Sequence, residues 1–174
     1  WRGDANRGSS TEQALPAELH LQWWKDLGDP QPAWPATQEK LQFDAGFEPV
    51  AAGERIFVPS MIHDCLTAYA ADSGDELWRF ETNGPVRFAA ACTGDSVIFG
   101  SDDGYVYCLG QKDGHLRSKL RGAPSDPKVL GNGRLISTWP VRGAPVVDDG
   151  VVYFAAGIWP FRGVFVQAVD VDTG

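Results

Sequence analysis

The chain of 174 residues is 43% hydrophobic and 22% charged, with 20 glycines and 12 prolines. It is too apolar and aromatic for disorder and too rich in turn formers for a helical bundle. A net charge of −8 speaks against general nucleic-acid or anionic-membrane binding, and no run of 18 apolar residues could span a bilayer.

The chain opens at Trp1 with neither methionine nor a charged-then-apolar leader, and is expected to be a processed or excised segment. Residues 1–46 form an arm: "LHLQWWKDL" around Trp23 is expected as one outer-type strand, and a long connection follows from Gly28 to Gly46. Three similar units come next, over 47–82, 83–120 and 141–174, with an inserted loop at 121–140. Each begins with a short strand and a tight turn (Gly53, Gly94, Asp149-Gly150). A solidly apolar strand follows: Ile56–Val58, Val97–Phe99 or Val151–Phe154. Such continuous runs suit a strand buried on both faces. A third strand ("LTAYA", "VYCLG", "FVQAVD") leads to a polar turn closed by Gly74, Gly114 or Gly174. Glycine there supplies the positive φ that the turn demands. A fourth strand carries Trp78 in the first unit and Ser118 in the second, and the third unit lacks it.

A unit of about 40 residues cannot bury both faces alone and must stack on its neighbours. The expected fold class is all-β: a partial β-propeller of about three four-stranded antiparallel blades plus an N-terminal leading strand. Closed propellers need roughly four to eight blades, so the remaining blades of a parent chain are expected partners.

The units resemble the pyrroloquinoline-quinone-type repeat of quinoprotein-like propellers. "LTAYAADSGDELW", "VYCLGQKDG" and above all "VQAVDVDTG", with Asp170 and Gly174, carry the resemblance, and "WRGDANRG" is similar to the lead-in of many such propellers. Ser118 departs from the family's docking tryptophan, and Ala70 and Gly110 depart from the aspartate kept at Asp170. The resemblance implies a periplasmic or otherwise extracytoplasmic location. In the family, quinone-binding dehydrogenases carry a vicinal cysteine pair and a bound calcium. Other members are non-catalytic scaffolds, one of them a lipoprotein of outer-membrane barrel assembly. No Cys-Cys pair occurs here, so no cofactor is expected in this segment.

Strand order places all long connections (Gly28 to Gly46, Arg121 to Pro140, Gly157 to Gly163) on one face of the disc, where function is expected. "PVR" occurs twice, ending at Arg87 and Arg142, and both arginines enter innermost strands at that face. They are candidates for an anion site, or for salt bridges to Asp102 or Asp103. Trp139 and Trp159, in "STWPV" and "GIWPF", are either ligand contacts or caps over the blade ends. "SDDG" at Ser101 to Gly104 has too few carboxylates for a calcium loop, and His20, His63 and His115 show no metal spacing. "RGD" at Arg2 to Asp4 is a chance tripeptide. Cys92 and Cys108 sit two strand spacings apart, beyond disulfide reach, and no catalytic constellation assembles.

The reading is a non-catalytic binding or scaffold module that holds a protein or small-molecule ligand on its loop-rich face. The alternatives are a fragment of a quinone-dependent dehydrogenase whose catalytic residues lie elsewhere, and a docking domain fused to an enzyme such as a haem protein.

Overall fold

A computed structural model describes residue 14 and residues 16–171. The "RGD" tripeptide and Gly174 lie outside the described residues. Among the described residues, thirteen strands form four antiparallel sheets, and one 3₁₀ turn, Pro160–Arg162, lies between the last two strands. The first blade is β1 (Val50–Ala52), β2 (Arg55–Ser60), β3 (Cys65–Ala70) and β4 (Glu76–Glu81), in that spatial order. The second is β5 (Ala91–Thr93), β6 (Ser96–Gly100), β7 (Tyr105–Gly110) and β8 (Leu116–Arg121). A hairpin, β9 (Lys128–Gly131) and β10 (Arg134–Ser137), precedes the third blade, in which β11 (Val146–Asp148), β12 (Val151–Ala156) and β13 (Phe165–Asp170) pair in order.

The blades stack through alternating side chains. Phe57, Leu66 and Ala68 of the first blade meet Val97, Phe99, Tyr107 and Leu109 of the second in one buried cluster. Ile98, Val106 and Cys108, on the opposite face of the second blade, meet Val152, Phe154 and Ala156 of the third. Both faces of β6 are therefore covered, which is why every residue in it is apolar or small. The expectation of two buried faces fails for β12. Tyr153, between Val152 and Phe154, points away from the second blade and is 44% exposed, and Val166 of β13 is 79% exposed. The outer face of the third blade has no cover among the described residues.

Two sequence expectations are corrected. The segment around Trp23 forms no strand, because no strand lies beside it to complete a ladder. Its tryptophan nonetheless occupies the expected place. Trp23 Nε1 donates to the Ala71 carbonyl at 3.0 Å, and Trp78 Nε1 donates to the Gln111 carbonyl, also at 3.0 Å. The rings press on the closing glycines: a Cβ on Gly74 would meet Trp23 at 2.7 Å, and one on Gly114 would meet Trp78 at 2.7 Å. These glycines thus serve both a positive φ (74° and 67°) and a flat landing surface for an indole. The inserted loop at 121–140 is the second correction, since it holds the β9–β10 hairpin. Asn132 and Gly133 take φ of 46° and 79°, the pair of positive values that a tight two-residue hairpin turn requires.

Candidate functional site

The loop after β6 is pinned from both sides. Asp102 N–H donates to the Pro85 carbonyl at 2.8 Å, Ser137 N–H donates to the Asp102 carbonyl at 2.8 Å, and Val141 N–H donates to the Ser101 carbonyl at 3.1 Å. Gly84 allows this approach, since a Cβ there would meet the Asp103 nitrogen at 2.7 Å. The loop presents Asp102, fully buried, to both arginines. Arg87 Nε donates to Asp102 Oδ2 at 2.7 Å, while Arg142 donates from Nε and Nη2 to the two Asp102 oxygens at 2.8 and 2.9 Å. Arg87 Nη1 continues to Asp44 Oδ2 at 2.8 Å and to the Gln31 carbonyl at 2.7 Å. Asp44 also accepts from Ala33 N–H at 2.8 Å, so the network ties the Gly28-to-Gly46 connection to the blades. Two guanidinium groups and two carboxylates balance in charge, and five of the ten guanidinium N–H groups donate within the chain.

The other expected residues are not part of this cluster. Asp103 turns inward, accepting from the Tyr107 hydroxyl and from Tyr105 N–H at 3.1 Å. Burial, reinforced by that bond to Asp103, pushes the Tyr107 phenol far above its ordinary value, so it stays a neutral donor. Trp139 lies over the third blade, with Nε1 donating to the Arg162 carbonyl at 2.9 Å and its ring edge-on to Phe165 at 5.9 Å. Trp159 starts the 3₁₀ turn, its carbonyl accepting from Arg162 N–H at 2.9 Å. Trp78, Gly74 and Gly114 are the blade-docking residues described above, and Asp170 pairs with Val151 at the start of β12. Cys65, Cys92 and Cys108 are free thiols, and burial pushes Cys92 up to about 11.

A cavity of about 660 Å³ opens beside the arginine network, where segments just ahead of all three innermost strands converge: Glu48 before β1, Phe88 before β5 and Arg142 before β11. The connection from Gly28 roofs it with Trp34, Phe43 and Asp44. Leu41 and Phe43 on this roof are 76% and 72% exposed. Sequence alone places Trp34 on the loop-rich face, but Asp44 and Glu48 escaped sequence reasoning, because the connection carries no periodic pattern that would orient its side chains. None of the cysteines lines the cavity, and among the described residues no group of three or more metal-ligating side chains occurs.

The family model for the outer membrane protein assembly factor BamB matches residues 20–138. The chain belongs to this family. It is 35% identical over 78 residues to the outer membrane protein assembly factor BamB of Bordetella pertussis, a match covering 42% of this chain and 20% of that protein. It therefore spans about a fifth of that relative's length. Among solved structures it superposes on BamB from Moraxella catarrhalis with a TM-score of 0.55 at 22% identity, covering 72% of this chain and 37% of that one. It also superposes on the quinohemoprotein alcohol dehydrogenase ADHIIG of Pseudomonas putida HK5, with a TM-score of 0.59 at 21% identity, covering 85% of this chain and 22% of that one. These structural likenesses carry the propeller fold.

Proposed function

We propose that this BamB-family chain is a non-catalytic binding platform of an extracytoplasmic assembly factor, holding a protein partner on its loop-rich face. The carrying observation is the cavity where the segments ahead of the three innermost strands converge, roofed by a connection that exposes Leu41 and Phe43. The BamB relatives are named as outer membrane protein assembly factors, and that name motivates a protein as the partner. Asp102, Arg87 and Arg142 act in this reading as the brace that sets the roof over the cavity. The uncovered face of the third blade, with Tyr153 and Val166, takes a further blade of the parent chain.

The test is site-specific photo-cross-linking in native cells. A photoreactive residue at Phe43 is expected to capture a discrete protein, whereas one at Asp72, in the β3–β4 turn on the opposite face, is not. Equal capture from both positions, or none from Phe43, would refute the platform.

A resident quinone does not suit this cavity. It lacks a cysteine pair, and its one guanidinium, on Arg142, is already engaged by Asp102. Incubation with pyrroloquinoline quinone and calcium is expected to leave the quinone spectrum unshifted. A shifted spectrum with dye reduction would support the dehydrogenase alternative instead.

A further inference from the structure

Not every charged group lining the cavity is paired. Arg142 is committed to Asp102, and Asp44 to Arg87. Glu48 is the exception. Its Oε2 accepts from Ala89 N–H at 2.9 Å, and among the described residues no cation pairs with it. Three aromatic rings, Trp34, Phe43 and Phe88, line the same cavity as Glu48. One of these rings already holds a cation: the exposed Lys40 ammonium lies 4.2 Å from the Trp34 ring centre. An electron-rich ring face and an unpaired carboxylate lining one open cleft attract positive charge on an apolar stem.

Resting on the platform reading, we propose that this cavity takes a basic side chain, arginine in particular, from the partner protein. Its methylene stem lies against Trp34, Phe43 and Phe88, and its guanidinium head pairs with Glu48. The guanidinium plane suits both tasks, since it stacks on aromatic faces and forks onto a carboxylate. An acidic side chain would instead meet Glu48 as a like charge. The net charge of −8 on the whole chain acts in the same direction, steering a basic partner toward the face.

The probes are Nα-acetyl-arginine amide and its uncharged near-isostere Nα-acetyl-citrulline amide, titrated into the 174-residue protein and followed by saturation-transfer NMR and calorimetry. The arginine probe is expected to bind, to bind about tenfold more weakly to Glu48→Gln, and to exceed the citrulline probe on the native chain by a similar factor. Glutamine keeps an oxygen acceptor for Ala89 N–H, and an unchanged melting temperature confirms that the variant is folded. Equal binding of the two probes, an unchanged affinity in Glu48→Gln, or no binding of the arginine probe would each overturn the proposal. Persistent cross-linking from Phe43 in any of those cases would show that the platform stands while its ligand chemistry is wrong.

Discussion

Replacing Asp102 by asparagine tests the central energetic claim, that the two arginines are structural groups held by their own carboxylate. The substitution preserves volume at a fully buried position and removes one negative charge. It turns one of the two oxygens that receive three guanidinium N–H groups into a donor facing donors. Arg87, only 4% exposed, would keep Asp44, while Arg142 would lose the carboxylate that pairs it. Breaking a buried, hydrogen-bonded ion pair costs about 3–5 kcal/mol, a large share of the ~5–15 kcal/mol typical of a folded domain. With a urea dependence of about 2 kcal/mol per molar, the unfolding midpoint falls by roughly 2 M. Asp95→Asn is the control: its partner Arg117 and Asp95 itself lie at the surface, and no measurable midpoint shift is expected. Asp102→Asn combined with Arg142→Met restores the charge balance and should recover about half of the loss, because Arg142 is the less buried arginine. A loss below about 1 kcal/mol in Asp102→Asn would refute the brace and favour arginines available to an external anion.

Other outcomes follow from the packing. Gly114→Ala forces a Cβ to within 2.7 Å of the Trp78 ring at a φ of 67°, and is expected to cost about 3 kcal/mol in urea unfolding. Gly133→Ala has a similar φ of 79° but open space around it, so about 1 kcal/mol is expected; equal costs would mean that the indole contact contributes nothing. Trp78→Ala removes the ring that packs on Phe57 and should lower stability by about 3 kcal/mol, while Trp23→Ala should mainly raise hydrogen exchange at residues 70–74. Burial raises the Cys92 thiol from 9.0 to about 11, so its contribution is complete below pH 9 and is lost as the pH climbs toward 11. Cys92→Ala should flatten that alkaline decline, and an unchanged pH profile would exclude the thiol as its cause.

Much of the architecture was legible because it is written locally and repeatedly. Gly74 and Gly114 recur at a fixed offset from an apolar third strand, and only a residue without Cβ tolerates both the turn and the indole. The twin "PVR" motifs placed Arg87 and Arg142 at equivalent points, and "SDDG" supplied a salt-bridge partner as one of two open readings. The hairpin at Asn132-Gly133 was also available, since that dipeptide between apolar pairs is a strong turn signal, but the proline-rich flanks masked it. Trp23 kept its docking role without its strand, because the indole contact needs only the neighbouring turn, whereas a strand needs an adjacent backbone.

By itself, then, the sequence determined the repeat: strand order, turn chemistry, and the buried faces of the first two blades. These depend on side-chain alternation and allowed φ values within about ten residues. Tertiary structure alone decided which carboxylate the arginines share, and that Asp44, more than forty residues from Arg87, closes the network. It also decided that Trp34, Phe43 and Glu48 meet in one cavity. An irregular connection carries no periodicity, so the partners of its side chains are set only when the blades beneath it have stacked.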